Sequence, residues 1–328
     1  MTPLPPSLIV MNRIEQAYQL VRQRQAGAAV ALLEEGGRAG EADSWVELAC
    51  WYLAGNIIPR DLARCRECFR LAGDAGDRPA RLIYISLLAN GTGGPANWRV
   101  AIDMLKQVSA KDKDAARQLA LLNRMALDER GQPVEIGSAE QLSTTPDVRL
   151  FRALLNSEEC RYLIERATPL FKPAVVVDPV SGQMRPHPVR TSDNAAFPWV
   201  DETPLIHAIN QRLGAASGTP AANGEPLQIL RYAPGQEYRP HHDALPNTDN
   251  QRTLTMLVYL NDGYEGGETV FLKTGLRVKG AIGDAVLFRN ADIFGRPDPD
   301  AQHAGLPVRA GQKLIASRWI HEKRFGPL

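Results

Sequence analysis
The phrases Leu48-Ala-Cys-Trp-Tyr-Leu-Ala-Gly55 and Tyr84-Ile-Ser-Leu-Leu-Ala-Asn-Gly91 set their glycines thirty-six residues apart, and no other feature so constrains the first part of this chain. The same offset aligns Cys65 with Ala101, Phe69 with Leu105 and Ala80 with Ala116. Small residues recur where two helices must approach closely, and large apolar residues recur where they fill the layer between. The surrounding sequence is rich in Ala, Leu, Arg and Glu and poor in β-branched runs, which favours helix. A fixed period of roughly 20–50 residues marks stacked helix pairs that cannot bury their apolar faces singly. An α-helical solenoid is therefore expected over residues 1–130, with residues 11–36 as a looser leading pair: Ala29 and Leu33 keep phase there, but no glycine matches. Cys65-Arg-Glu-Cys68 has the spacing of half a zinc or redox site, yet it lies inside a repeat helix with no partner pair, so both thiols are expected to fill small core positions.

Residues 131–146 are polar, with Gly and Pro, and read as a linker or domain-entry loop. The pattern then changes. Val148–Phe151 alternates like a strand. Ser157 is placed as the N-cap of a helix with Glu158 and Glu159 in its first turn, and a second helix is expected over 202–213. From Leu227 onward, short strands follow one another between turns rich in Gly, Pro, Asn and Asp: 227–232, 253–260, 268–271, 276–278, 284–288 and 313–320. Such a series predicts a sandwich or barrel-like β core buttressed by the preceding helices. The fold class is thus α+β in two domains, 1–130 and 147–328.

Composition narrows the function. Up to residue 130 there are 17 basic and 15 acidic side chains, and beyond it 21 and 22. Neither part has the basic excess that drives binding to a phosphate backbone, so nucleic acid is not an expected partner. No stretch reaches the ~18 apolar residues of a membrane span. The opening Met1-Thr-Pro-Leu-Pro-Pro-Ser lacks the charged segment and apolar run of a secretory leader, and four cysteines are too few for a disulfide framework. A reducing, cytoplasmic setting is expected, with no membrane partner.

Six histidines can be sorted by what they could share. In an extended His241-His242-Asp243, the first and third side chains point one way and His242 the other. An imidazole and a carboxylate on one face can form two corners of a metal site, and His303, just before the last strand, is the best candidate for the third. Two histidines and one carboxylate leave positions open for a co-substrate and oxygen, as in non-haem Fe(II) oxygenases. Lys313, ten residues beyond His303, could bind the far carboxylate of a dicarboxylic acid. His187, His207 and His321 are expected to pack or to face solvent.

Residues 40–128 resemble Sel1-like repeats, relatives of tetratricopeptide repeats, on the strength of Trp51-Tyr-Leu-Ala-Gly55, Arg60-Asp61 through Phe69, Ala75-Gly-Asp77 and the second copy from Leu88 to Leu105. Residues 147–325 resemble the catalytic domain of prolyl 4-hydroxylases, within the Fe(II)/2-oxoglutarate-dependent dioxygenases. The phrases that carry this likeness stand in family order: Leu150–Cys160, Val189-Arg-Thr-Ser192, Leu230–Tyr238, Gln251-Arg252, Tyr259–Asp262, Gly266–Phe271, Gly283–Phe288 and His303-Ala-Gly.

That resemblance implies a double-stranded β-helix, or distorted jelly roll. It implies that His241, Asp243 and His303 bind Fe(II) and form the catalytic centre, that Lys313 binds the 5-carboxylate of 2-oxoglutarate, and that Tyr232 and Thr269 hydrogen-bond the co-substrate. Arg252, Trp319 and Arg190 would face a peptide substrate. O2 is the second co-substrate, and ascorbate joins the cofactors to be considered. Eight residues separate Asp243 from Arg252, fewer than in many relatives, so the substrate-side loop is trimmed. Three functions are carried forward: hydroxylation of a protein recruited by the repeats, most simply at a peptidyl proline; the same chemistry on a free amino acid or small molecule; and a repeat-based adaptor without turnover. The intact ligand set and Lys313 argue against the third.

Overall fold
The computed structural model describes residues 12–177, 184–186, 189–292 and 294–326; His187 lies outside the described residues. By contact density the chain divides into two compact units, one running to Ala115 and including Trp199–Pro204, the other made of Ala116–Pro198 and the chain from Leu205 onward.

The first unit is helical: α1 (Arg13–Arg22), α2 (Ala26–Arg38), α3 (Ala42–Ala54), α4 (Leu62–Asp74), α5 (Arg78–Asn90), α6 (Trp98–Ser109) and the start of α7 (Lys113–Leu122). Both ends of α5 fall thirty-six residues after those of α3, and α6 starts thirty-six after α4. Gly55 and Gly91 end α3 and α5 in the left-handed conformation, at φ 70° and 79°. A side chain there would be strained, so glycine closes both helices. Asp61 and Asn97 cap the helices that follow. The core of this unit is built from Leu33, Leu48, Trp51, Phe69 and Leu87, with Cys65 and Cys68 buried among them. Burial pushes both thiols up to about 12, which leaves them inert at neutral pH.

The period slips by one residue at α7. Ala115 is fully buried, whereas Ala116, which the repeat aligns with Ala80, is exposed. The cause is the cap. Asp77 accepts from the Ala80 amide, and its counterpart Asp112 accepts from the Ala115 amide, so the spacing here is thirty-five.

In the second unit come β1 (Ala139–Thr144), β2 (Asp147–Phe151), α8 (Ser157–Ala167), β3 (Lys172–Pro173), β4 (Val175–Val177), β5 (Met184–Pro186) and β6 (Asp193–Phe197). Helix α9 (Pro204–Ser217) precedes β7 (Leu227–Tyr232), β8 (Tyr238–His241), β9 (Arg252–Tyr259), β10 (Tyr264–Gly266) and β11 (Thr269–Phe271). The chain ends with β12 (Arg277–Val278), β13 (Ala285–Arg289), β14 (His303–Gly305), β15 (Val308–Gly311) and β16 (Lys313–His321). Part of the polar stretch read as a linker is therefore strand β1. The N-cap of α8 is Asn156 rather than Ser157. Its side chain accepts from the Glu158 and Glu159 amides while Glu159 reaches back to the Asn156 amide, a reciprocal box that Ser157, one residue further on, is not placed to make.

Eight strands form one antiparallel sheet in the order β1-β2-β13-β9-β16-β7-β6-β3, and four form a second in the order β12-β11-β14-β8. All nine residues of β16 are buried, the polar Lys313, Ser317, Arg318 and His321 among them. Leu230, Leu257, Tyr259 and Phe288 of the large sheet pack with Phe271 and Val278 of the small one in a single core cluster. Helix α8 packs on β7, and its Glu159 holds Arg212 of α9 at 2.8 Å.

Candidate metal centre and active site
Strands β8 and β14 pair with His241 opposite His303, and then with Tyr238 opposite Gly305. Three steps along β8 match two along β14, so a bulge lies between the pairs. Strict alternation would put Tyr238 and His241 on opposite faces. The bulge rephases them, and their rings stack with centroids 3.5 Å apart and planes 13° from parallel. Beyond His241 the strand ends; His242 faces solvent and Asp243 is buried.

The two histidines are held alike. His241 Nδ1 lies 2.8 Å from the Arg239 carbonyl, and His303 Nδ1 lies 3.0 Å from the Ala301 carbonyl. A carbonyl oxygen can only accept, so each Nδ1 carries the proton and each Nε2 keeps its lone pair. Both Nε2 atoms turn to Asp243, at 3.5 Å from Oδ1 for His241 and 3.7 Å from Oδ2 for His303. One donor atom from each of the three lies within 4.8 Å of the others, and among the described residues no second cluster of metal-ligating side chains reaches this density. Burial pushes His303 down to about 4, so the ring is neutral at physiological pH. Burial also raises Asp243, but His303, His241 and a hydrogen bond from Thr255 together outweigh it and hold the carboxyl below the usual range. A carboxylate and a neutral imidazole are the protonation states a metal requires of Asp243 and His303.

Lys313 opens β16 opposite Tyr232 of β7. It is fully enclosed, and burial pushes its ammonium down to about 8. Its Nζ donates to the Gly267 carbonyl at 2.6 Å. Gly266 and Gly267, at φ 70° and 69°, turn that carbonyl inward, and a Cβ on Gly266 would meet the Pro307 carbonyl at 2.5 Å. Tyr232, Thr269, Lys313 and Trp319 line one pocket together with His241, Asp243 and His303. Apolar Leu230, Leu257 and Ile315 complete much of the same wall.

Arg252 and Arg190 stand behind that wall. The Arg252 guanidinium lies 4.0 Å from the centre of the Trp319 ring, and its Nε donates to Glu225 at 2.5 Å. His321 lies between the same carboxylate and the Asn250 carbonyl, 2.8 Å from each. Arg190 is buried and sits 5.8 Å from the Tyr238 ring. Sequence reasoning missed Tyr238, Glu225, Thr255 and Asn290 as parts of this site and left His321 as a packing residue. A threonine set between Leu254 and the apolar run Met256–Val258 was the available signal for Thr255; Tyr238 was concealed by the bulge.

A family model described as the 2OG-Fe(II) oxygenase superfamily matches residues 227–321. Prolyl 4-hydroxylase 1 of Arabidopsis thaliana is 37% identical over 228 residues, covering 63% of this chain and 81% of that protein. Prolyl 4-hydroxylase 5 of the same plant is 32% identical over 242 residues, covering 65% and 83%. Among solved structures, the viral collagen prolyl hydroxylase of Paramecium Bursaria Chlorella virus-1 in its 2OG complex is 29% identical, covers 53% of this chain and 95% of that one, and superposes with a TM-score of 0.43. The protein is a 2-oxoglutarate-dependent dioxygenase that uses Fe(II), 2-oxoglutarate and O2. Within the 2OG-Fe(II) oxygenase superfamily, the chain belongs to the prolyl 4-hydroxylase family.

Proposed function
We propose that this chain hydroxylates a proline within a protein target, with Fe(II) held by His241, Asp243 and His303. The observation that carries the reading is the convergence of two Nε2 lone pairs on one buried carboxylate across a pocket from a buried lysine. Two imidazoles and one carboxylate suit Fe(II) and leave coordination positions open. With 2-oxoglutarate and O2, the iron supplies the oxidant that converts a C–H bond to C–OH and releases succinate and CO2.

The chain's own groups supply binding, orientation and a dry site. Lys313 exchanges its bond to the Gly267 carbonyl for the 5-carboxylate of 2-oxoglutarate, a charge-assisted contact worth more than the one it replaces. Tyr232 and Thr269 offer hydroxyls to the same co-substrate. Leu230, Leu257 and Ile315 keep water from that end of the pocket. Tyr238 and Trp319 present flat apolar faces that suit a pyrrolidine ring. Trp319 Nε1 is buried with no hydrogen-bond partner among the described residues and is a ready donor to a peptide carbonyl. Arg252, locked by Glu225, fixes the tilt of the Trp319 ring, and Arg190 backs Tyr238.

The thirty-six-residue helical period fits Sel1-like repeats, whose stacking would leave a polar surface to recruit the target. The free thiols, including exposed Cys50, fit a reducing cytoplasmic setting. Ascorbate, known here through the family resemblance, would serve as an ancillary reductant. The test is succinate release with Fe(II) and 2-oxoglutarate in the presence of a Pro-rich peptide, the same peptide with Ala for Pro, or free proline. Turnover coupled to a +16 Da product is expected with the first peptide. Coupled turnover on free proline in place of the peptide would replace the protein substrate by a small molecule, and no succinate with any of them would leave the adaptor reading.

A further inference from the structure
Behind Asp243 lie two polar residues that are not themselves metal ligands. Thr255 sits on β9 and Asn290 directly follows β13; each is 1% exposed. The strands are neighbours, with Phe288 opposite Thr255, and the Asn290 amide extends their ladder by donating to the Thr253 carbonyl at 2.8 Å. Asn290 Nδ2 donates to Thr255 Oγ1 at 2.8 Å, and Thr255 Oγ1 donates to Asp243 Oδ2 at 2.6 Å. The direction of this relay is set by its chemistry. An amide N–H can only donate, and a hydroxyl has one proton. With Asn290 filling the acceptor role of the hydroxyl, that proton goes to the carboxylate.

We propose that Thr255 and Asn290 are positioning residues that hold Asp243 Oδ2 and so fix the rotation of the carboxylate between the two imidazoles, with Oδ1 toward His241 Nε2 and Oδ2 toward His303 Nε2. The inference rests on the iron reading above. A carboxylate free to rotate would not meet both imidazoles. Because the relay is fully buried, removing the hydroxyl leaves an Asp243 lone pair and an Asn290 N–H without partners, where no water replaces them cheaply.

The test titrates the full-length protein with Mn(II), following free metal by EPR, and measures succinate formed per peptide hydroxylated. Thr255→Val keeps the shape and loses the hydroxyl; Thr255→Ser keeps the hydroxyl. Thr255→Val is expected to weaken Mn(II) binding by about 10–100-fold and to raise succinate per hydroxylated peptide, with Thr255→Ser close to wild type. Asn290→Ala, which removes the far donor only, is expected to shift both readouts the same way by less, and it carries the test if Thr255→Val does not fold. Folded variants with wild-type Mn(II) affinity overturn the inference, as does a lowered apo melting temperature with unchanged affinity, the mark of a merely structural role. Equal Mn(II) binding by wild type and Asp243→Ala would instead overturn the iron reading itself, and this inference with it.

Discussion
At neutral pH Lys313 is a cation held in a site that disfavours cations, because burial has moved its proton affinity to about 8. The free enzyme loses this proton as pH passes 8, while bound 2-oxoglutarate holds it in place. The apparent KM for 2-oxoglutarate is therefore expected to climb above pH 8, and a Lys313→Met variant should show a high KM with no such inflection. Stability carries the opposite sign. An unfolded lysine keeps its proton to about 10.5, so between pH 8 and 10.5 the unfolded chain binds more protons and the folded state gains relative stability as pH rises. The full effect is about 3 kcal/mol, measurable as a melting temperature that increases across that window in the apo protein and is flat there in Lys313→Met. The neighbouring residues of the metal cluster separate cleanly. Asp243→Ala should abolish succinate formation, while exposed His242→Ala should keep most of it; a reversal of those two results would mean that the wrong side chains have been assigned to the metal.

Elements, unlike single residues, are placed by caps and bulges. The α8 box centres on Asn156, so Asn156→Ala should cost about 1 kcal/mol in chemical unfolding and Ser157→Ala a few tenths at most. Equal costs would return the cap to Ser157. At this scale much was legible. The strand at Leu227–Tyr232 begins and ends where its hydrophobic pattern does, and the thirty-six-residue offset of Gly55 and Gly91 reappears in the helix boundaries. The slip to Ala115 was not legible, because it depends on which aspartate caps α7. Nor was the bulge between His241 and Tyr238: a bulge is decided by how two strands meet, and β8 and β14 are some sixty residues apart in the chain.

For the whole molecule, the open question is what the helical unit does for the oxygenase unit. The second compact unit begins at Ala116 and contains β1, so a shortened chain should start there and not inside the polar stretch that follows. Such a chain is expected to bind Mn(II) and 2-oxoglutarate and to hydroxylate a short peptide at a rate comparable to the full chain. With an intact protein target identified by +16 Da mass spectrometry, its KM should rise while kcat is kept. Identical KM values on the intact target would end the recruitment reading and leave the helices a supporting role.

Local physics alone determined a helical first part with its period, a strand-rich second part, and a short set of side chains that could hold a metal and a dicarboxylic acid; 2-oxoglutarate itself entered through the family resemblance. The local features follow from periodicity, turn residues and donor type, which act over a few residues. Tertiary structure decided which of these side chains meet and how each is held. It turned both Nε2 atoms toward Asp243 through carbonyls two residues away from each histidine, brought Tyr238 onto His241 through a bulge, and aligned Asn290 and Thr255 behind the carboxylate through the register of β13 on β9. Pairing of distant strands has no local signature in the chain, because one residue of slip would exchange every face; only the packed core between the two sheets selects the register that assembles the site.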